Sequence, residues 1–246
     1  MDGVNILWLA SPELALESQP GQFVMIRCAD GFDPLLRRAL SVHRVRSAGY
    51  PAPEQGIAVL YGVHGAGTGM LTHKRPGDPL DVIGPLGNGF SVNPNARRLL
   101  LAGSGWGVSP LIALAEQQVA RGCDVTLVAG APDEASHYPY QQLPAQIEVI
   151  LATDDGSIGR QTAIADLLPD YLPWADAVFA CGPWSLYQSL ASGVAPGPRQ
   201  KPIQVLLESV MACGVGACYA CAVETRRGLR LSCREGPKFE LKDLLL

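Results

Sequence analysis

Four cysteines near the carboxyl end have a spacing that indicates metal chemistry. They are Cys213, Cys218, Cys221 and Cys233, in the pattern C-x4-C-x2-C-x11-C. Plant-type [2Fe–2S] proteins bind their cluster with this C-x4-C-x2-C spacing. Gly214 and Gly216 lie in the first loop, where glycine lets backbone N–H groups approach the cluster sulfides closely. The pattern therefore predicts a [2Fe–2S] cluster bound by four thiolates.

A structural zinc ion is the alternative ligand, because four thiolates in a short stretch can also bind Zn2+ tetrahedrally. Zinc sites usually contain two C-x2-C pairs, whereas only Cys218 and Cys221 have that spacing here. Iron–sulfur binding is therefore favoured. Each of the three scattered cysteines is interpreted as a small buried apolar residue; they are Cys28, Cys123 and Cys181.

A glycine-rich turn follows the apolar run at 99–102. It contains Gly103, Gly105 and Gly107, and a helix is expected from about 109 to 121. Backbone N–H groups and a helix N-terminus at such a turn can bind a pyrophosphate. The spacing is G-x-G-x-G rather than the dinucleotide fingerprint G-x-G-x-x-G, so a turn that needs glycine only for packing stays open as an alternative.

A second strand end strengthens the nucleotide interpretation. The apolar run at 177–181 ends in Cys181, Gly182 and Pro183. In an open parallel sheet, ligands bind beyond the carboxyl ends of the strands. We therefore expect the two turns to face one nucleotide-binding crevice.

The residues that follow the strand at 125–129 favour NAD over NADP. Asp133 and Glu134 lie just beyond this strand, and no Arg or Lys is near them in the sequence. A 2′-phosphate would meet carboxylates there instead of a cation.

Three structural units are needed to position these sites. Residues 1–94 contain short alternating or β-branched runs separated by Gly, Pro and Asp, which is typical of a small antiparallel barrel. Residues 95–205 alternate apolar runs with helical stretches, which indicates βαβ units and a parallel sheet. Residues 206–246 are rich in cysteine and glycine and too short for another layer. We predict a mixed architecture: an antiparallel β-barrel domain, an α/β parallel-sheet domain and a small C-terminal cluster subdomain.

Composition and charge exclude several function classes. The net charge of -4 gives no electrostatic reason to expect a nucleic acid or an anionic membrane surface as a partner. The first residues lack the basic stretch of a secretory signal, and glycines and a proline interrupt the most apolar segment, 99–115. Seven cysteines without an export signal suit reduced thiols. We expect a cytoplasmic protein.

The order of the glycine turn, the Cys-Gly-Pro strand end and the cysteine cluster resembles that of the ferredoxin–NADP reductase-like flavoproteins. Three further stretches support this: PGQF at 20–23, GPLGNGF at 84–90 and ESVMACGVGACYAC at 208–221. Within the family, the chain looks closest to the electron-transfer subunits of class 1B dihydroorotate dehydrogenases. The resemblance covers nearly the whole chain and implies FAD, a [2Fe–2S] cluster and NAD as cofactors.

The resemblance also implies FAD-binding residues in the first domain. The family's Arg-Pro-x-Ser motif matches Arg38, Ala39, Leu40 and Ser41, with Arg38 neutralising the pyrophosphate. The next family segments match Leu60, Tyr61 and Gly62, and then the loop 65–68, in which Gly67 and Thr68 suit phosphate oxygens. From the residues alone, Arg38 is interpreted as a surface residue and this loop as an ordinary turn.

Two positions depart from the family pattern. Ala39 replaces the usual proline, which removes a preset φ. Gly62 stands where arginine is common, which removes a phosphate contact. We therefore expect weaker FAD binding than in the family.

A nicotinamide transfers two electrons as hydride, whereas an iron–sulfur cluster accepts one at a time, and a flavin converts between them. We therefore predict an oxidoreductase subunit that passes electrons between NAD(H), FAD and the cluster. The resemblance implies a partner, an FMN-containing dihydroorotate dehydrogenase catalytic subunit in a two-plus-two heterotetramer, and a role in pyrimidine biosynthesis. No catalytic residue for dihydroorotate oxidation is predicted in this chain.

Two alternatives remain open at this point. The first is a subunit of another redox system, such as a ferredoxin transhydrogenase or a hydrogenase. The second is a zinc-stapled module without enzymatic activity, which the weakened FAD motif suggests.

Overall fold

The computed structural model describes residues 3–46, 54–193 and 201–246. The strands are β1 Val4–Ala10, β2 Phe23–Ile26, β3 Arg38–Arg46, β4 Gly56–Gly62, β5 Val82–Leu86, β6 Arg98–Ser104, β7 Asp124–Ala131, β8 Ile147–Thr153, β9 Arg160–Gln161, β10 Ala177–Cys181, β11 Ile203–Leu206, β12 Ala222–Thr225, β13 Gly228–Leu231 and β14 Lys238–Glu240. The helices are α1 Pro12–Glu17, α2 Ala66–Leu71, α3 Ser109–Ala120, α4 Ile164–Tyr171 and α5 Trp184–Gly193. None of the described helices is long and apolar enough to cross a membrane.

The first five strands form an antiparallel, barrel-like sheet in the order β1-β4-β3-β2-β5. Every residue of β2 and β4 is buried, which explains their nearly continuous apolar sequences. Strand β5 begins at Val82 and continues through Gly84 and Pro85 to Leu86. Glycine is required at 84 because a Cβ there would lie 2.6 Å from Val24 Cγ1. The Gly-Pro pair, which is more typical of a turn, therefore lies within a closely packed strand.

A seven-stranded sheet follows, in the order β14-β11-β10-β6-β7-β8-β9, parallel except for β14. Alternate residues of β6 point to opposite faces. Leu99 and Leu101 pack in one core with α3, and Leu100 packs in a second core with α4 and α5. The predicted parallel α/β architecture is confirmed.

At a bulge in β3, the side chain of His43 contacts the domain that contains the parallel sheet. The register of β3 against β4 shifts between Val42 and Arg44, and such bulges redirect a side chain. The fully buried His43 has Nδ1 3.0 Å from the Ser109 carbonyl oxygen and Nε2 3.1 Å from the Tyr138 hydroxyl. The Ser109 carbonyl must accept, so Nδ1 donates. Burial lowers the pKa of His43 to about 4, so the imidazole is neutral at pH 7 and Nε2 accepts from the Tyr138 hydroxyl.

The C-terminal segment is fastened to both neighbours. Strand β14 pairs antiparallel with β11 at the edge of the large sheet. On the barrel side, the side-chain amide of Asn88 donates to the carbonyl oxygens of Arg234 and Glu235, each at 3.0 Å. The backbone N–H of Asn88 donates to the Gly236 carbonyl. A small core of Phe23, Met25, Cys221, Leu231 and Cys233 joins the segment to the barrel.

Candidate functional site

The cysteine loop is shaped by glycine and by hydrogen bonds to sulfur. Gly214 and Gly216 have φ values of 73° and 84°, the left-handed conformation that glycine adopts without strain. The N–H groups of Val215 and Ala217 donate to Cys213 Sγ at 3.4 and 3.3 Å. Hydrogen bonds to this sulfur, from Val215 first, then Cys218 and Ala217, lower the pKa of the Cys213 thiol to about 6. The loop therefore stabilises a thiolate at neutral pH.

The four cysteines are arranged as two neighbouring pairs. Cys218 hydrogen-bonds to Cys213 on the more exposed side, and the buried Cys221 and Cys233 form the second pair. Burial, with the neighbouring Cys221 thiol, raises the pKa of Cys233 to about 11. Within residues 3–46, 54–193 and 201–246, no three His, Cys, Asp or Glu side chains are positioned to hold one metal ion. Two thiolates for each of two irons fit this paired arrangement.

A cavity of about 270 Å3 lies between the barrel and the parallel sheet. Six of the predicted flavin residues line it: Ala39, Leu40, Ser41, Leu60, Tyr61 and Gly62. Its other walls include Trp106 from the glycine turn and Glu208, Ser209 and Met211 from the C-terminal segment. The Ser209 hydroxyl is buried and has no hydrogen-bond partner in the described part of the chain. A polar ligand such as a flavin would satisfy it, so the cavity fits FAD.

The predicted phosphate residues lie together beside this cavity. A Cβ on Gly67 would lie 2.6 Å from Arg38 Nε, so the guanidinium rests directly on the α2 backbone. The Thr68 hydroxyl accepts a hydrogen bond from the His64 N–H at 3.0 Å, which holds the loop in place. No ion pair of Arg38 with a carboxylate is formed among the described residues, which leaves its charge available to a phosphate.

Gly62, where the family commonly has arginine, lies directly beneath an indole ring. A Cβ at position 62 would be 2.7 Å from Trp106 Cζ2 and 3.0 Å from His64 Nε2. The Trp106 and His64 rings pack edge to face with centroids 5.7 Å apart. An arginine at 62 would require Trp106 to move. The glycine and the tryptophan thus form one complementary part of the cavity wall.

The glycine turn and the Cys-Gly-Pro strand end are in direct contact. A Cβ on Gly107 would lie 2.2 Å from the Cys181 carbonyl oxygen, so only glycine allows this approach. Gly105 has a φ of 54°, and residues Gly105–Val108 form a short 3-10 turn before α3. The crevice of about 180 Å3 beside this contact is lined by Ser104 and Pro183, among other residues. Gly103 and Gly182 complete the two strand ends.

Glu208 is a candidate residue that sequence reasoning missed. It is the one carboxylate among the described residues that line the flavin cavity, and burial raises its pKa. Cys181 Sγ lies 4.0 Å from Glu208 Oε1, so this carboxylate connects the cavity with the Cys-Gly-Pro strand end. Burial, then the Glu208 charge, raises the pKa of Cys181 well above its usual range. The only sequence signal for Glu208 was its position two residues after β11, at the start of the stretch 208–221.

The barrel, the parallel sheet, the cavity between them and the cysteine loop define an oxidoreductase with the ferredoxin–NADP reductase fold. A solved NADH-dependent reduced ferredoxin–NADP oxidoreductase is similar over 99% of this chain and 86% of its own, with a TM-score of 0.83 and 27% identity. The ferredoxin–NADP+ reductase of Plasmodium falciparum is similar in fold, with a TM-score of 0.62 and 14% identity over 80% of this chain and 85% of its own.

Residues 208–245 match the iron–sulfur cluster binding domain of dihydroorotate dehydrogenase B. The dihydroorotate dehydrogenase B (NAD(+)) electron transfer subunit of Desulforamulus reducens is 36% identical over 93% of this chain and 87% of its own length. The corresponding subunit of Geobacillus thermodenitrificans is 37% identical over 98% of this chain and 92% of its own length. The chain belongs to this family of electron-transfer subunits. The predicted family, fold class and oxidoreductase activity are confirmed, and family and fold support FAD, [2Fe–2S] and NAD as cofactors.

Proposed function

We propose that this chain carries electrons between NAD(H) and the FMN of a dihydroorotate-oxidising catalytic subunit, through its own FAD and [2Fe–2S] cluster. The net reaction converts dihydroorotate to orotate and reduces NAD, in pyrimidine biosynthesis. One observation carries this proposal: the flavin cavity shares walls with both other sites. Trp106 of the glycine turn and Met211 of the cysteine segment both line it. The bound flavin supplies the conversion between hydride and single-electron transfer.

The FAD residues are assigned by their positions around the cavity. Arg38 and the α2 loop at Gly67 and Thr68 bind the pyrophosphate, because the guanidinium and the N–H groups offer charge-assisted hydrogen bonds. The residues that line the cavity would hold the isoalloxazine end; they are Ala39, Leu40, Ser41, Leu60, Tyr61 and Gly62. Trp106 excludes water over Gly62.

The NAD residues and a proton-holding group are assigned in the same way. The strand ends at Gly103, Gly105, Gly107, Cys181, Gly182 and Pro183 orient the nicotinamide half toward the flavin cavity. Glu208 lines the flavin cavity, and its Oε1 lies 4.0 Å from Cys181 Sγ. Desolvation raises the pKa of Glu208, which favours its protonated form and suits it to exchange a proton at Oε1.

The cluster would be held by Cys213, Cys218, Cys221 and Cys233 and would supply one-electron transfer. The catalytic subunit docks over the more exposed pair, Cys213 and Cys218, in a heterotetramer of two chains of each kind. Three apolar side chains exposed around it support this face: Val210, Val215 and Tyr219. Accessible thiols such as Cys218 favour a reducing compartment, and we place the protein in the cytoplasm. The units 1–94, 95–205 and 206–246 bind FAD, NAD and the cluster.

Replacing one cluster ligand tests the order of the carriers. Cys221→Ser should spare reduction of an artificial dye by NADH, because that route needs only FAD. Electron delivery to a copurified catalytic subunit should fall below detection. Cys123→Ser is the matched control, since Cys123 is buried far along the chain and its Sγ contacts the Ala96 carbonyl. Equal loss of both activities in Cys221→Ser would contradict the proposed route.

The alternatives give different outcomes. A partner that does not turn over dihydroorotate would indicate another redox system, which the 27% identical ferredoxin–NADP oxidoreductase supports only weakly. A colourless, zinc-containing protein after anaerobic purification would indicate the non-enzymatic module. Flavin bands with a broad iron–sulfur absorbance are the expected spectrum.

A further inference from the structure

The crevice beyond the ends of β7 and β8 contains a single charged residue, Asp154, among the described residues that line it. Strand β7 contributes Gly130 and Ala131, and the approach to α4 contributes Thr162 and Ala163. The parallel register pairs Ala131 with Thr153, so Asp154 follows immediately at the mouth of the crevice. Any nucleotide entering here meets one carboxylate.

The backbone of Asp154 is fixed, and its side chain is available. The Asp154 N–H donates to the Ala131 carbonyl at 3.3 Å, and the Asp154 carbonyl accepts a hydrogen bond from Gln161 Nε2 at 3.4 Å. Its carboxylate forms no hydrogen bond or ion pair with the part of the chain that the structure describes. This negative charge is therefore uncompensated.

The neighbouring carboxylates are engaged elsewhere. Asp133 Oδ1 accepts a hydrogen bond from the Ser136 N–H at 2.8 Å, and Asp133 does not line the crevice. Asp155 Oδ1 accepts from the N–H and the hydroxyl of Ser157, which lowers the pKa of Asp155. Glu134 also lies outside the crevice lining. The sequence interpretation relied on Asp133 and Glu134 beyond β7; among the described residues that line the crevice, the carboxylate is Asp154.

Positive charge near the crevice is weak. Arg160 is largely exposed, lies 3.9 Å from Asp170, and does not line the crevice. The N-terminus of α4 faces the crevice, but its first turn contains Asp166, which accepts a hydrogen bond from the Thr162 hydroxyl at 3.1 Å. Among the described residues that line the crevice, there is no Arg or Lys to neutralise a second phosphate group.

We propose that Asp154 makes this site prefer NAD(H) to NADP(H). Its carboxylate accepts a hydrogen bond from the ribose 2′-hydroxyl and repels a 2′-phosphate at the same position. The inference rests on the proposed role of the crevice as the nucleotide site. It goes further because it names one residue as the determinant of selectivity.

Two redox-inert ligands test this proposal on the FAD- and cluster-containing chain. Calorimetry would compare adenosine 5′-monophosphate with adenosine 2′,5′-bisphosphate, which differ only in the 2′-phosphate. Asp154→Asn should raise the relative affinity for the bisphosphate about tenfold, by removing a like-charge repulsion. The kcat/KM ratio for NADPH over NADH should rise with it. Because the repulsion is electrostatic, the preference of the wild type for AMP over the bisphosphate should shrink at high salt. The affinity ratio of Asp154→Asn should not change in this way.

Asp133→Asn is the matched control and should leave the ratio unchanged. An unchanged ratio in Asp154→Asn, or an equal change in both variants, would overturn the inference while leaving the nucleotide site intact. Wild-type protein that binds neither AMP, the bisphosphate nor NADH would instead overturn the proposed function, and the inference with it. Asp154 is exposed, so the variant should fold, and unchanged flavin absorbance checks this.

Discussion

The parallel sheet and the cysteine segment are positioned by different forces. In β6, the side chains of residues 99–102 are fully buried. The loop at 213–219 has no helix or strand, is largely exposed, and depends on left-handed glycines and N–H bonds to sulfur. Hydrophobic burial therefore stabilises the sheet without a ligand, whereas the loop has few apolar contacts of its own. The geometry of the cluster site should depend more on the metal than that of the nucleotide site does.

Leu100→Ala should produce the largest loss of stability. Leu100 is fully buried at the centre of the sheet, and such truncations cost about 2–5 kcal/mol through lost burial and a residual cavity. Urea unfolding followed by circular dichroism measures this loss. The iron-to-protein ratio of the folded fraction should not change. A loss of cluster without a loss of global stability would invert the comparison.

Acid should weaken the junction between barrel and sheet through His43. Its pKa is about 4 in the folded state, against about 6.5 unfolded. Between these values the unfolded chain binds a proton that the folded chain excludes, so stability falls as pH falls from about 6.5 to 4. The loss is about 3 kcal/mol over the whole range. Above pH 6.5, the free energy of unfolding contains the full contribution of the buried, neutral His43.

His43→Gln separates this effect from other titrating groups. The variant lacks the imidazole, so its unfolding free energy should fall less steeply between pH 6.5 and 4.5 than that of the wild type. Urea unfolding at several pH values measures both slopes. Identical slopes would show that His43 is not the group responsible.

Gly214→Ala should give a smaller effect that falls on the cluster. Its φ of 73° disfavours a side chain, and the added Cβ would lie 2.5 Å from Met25 Cγ. A non-glycine residue in this conformation costs about 1–3 kcal/mol. Iron content and visible absorbance after reconstitution should fall, with little change in far-ultraviolet circular dichroism.

Gly228→Ala is the control for backbone strain alone. Its φ is 87°, but no atom lies within 4 Å of the added Cβ. Cluster content should change less than in Gly214→Ala. Equal effects would mean that the close packing against Met25 contributes nothing to the loop.

The sequence predicted those features whose signals are local. The apolar run at 99–102 and the strand at 177–181 gave the parallel sheet, and the cysteine spacing indicated the cluster. Strand β14 was missed because three residues, Lys-Phe-Glu, carry no pattern of their own and pair with β11 only after folding. The bulge that aims His43 at Ser109 likewise depends on the register against β4.

Contacts between site residues that are distant in the chain could not be predicted from the sequence either. Gly62 was interpreted as a lost phosphate contact, but only the fold places Trp106 over it, 44 residues along the chain. Glu208 and Cys181 meet because β10 and β11 are neighbours in the sheet. The acidic character of the nucleotide crevice was anticipated, yet the carboxylate that lines it is Asp154, because Ala131 and Thr153 are paired in register.

The attachment of the C-terminal segment has a consequence for how electrons travel. Asn88 holds residues 234–236 to the barrel, while β14 holds the same segment to the sheet. The spacing between the three redox sites is thus set when the chain folds. Electron transfer between the sites proposed within this chain should therefore need no swinging domain, unlike carriers that alternate between two docking positions, so its intramolecular rate should be insensitive to solvent viscosity.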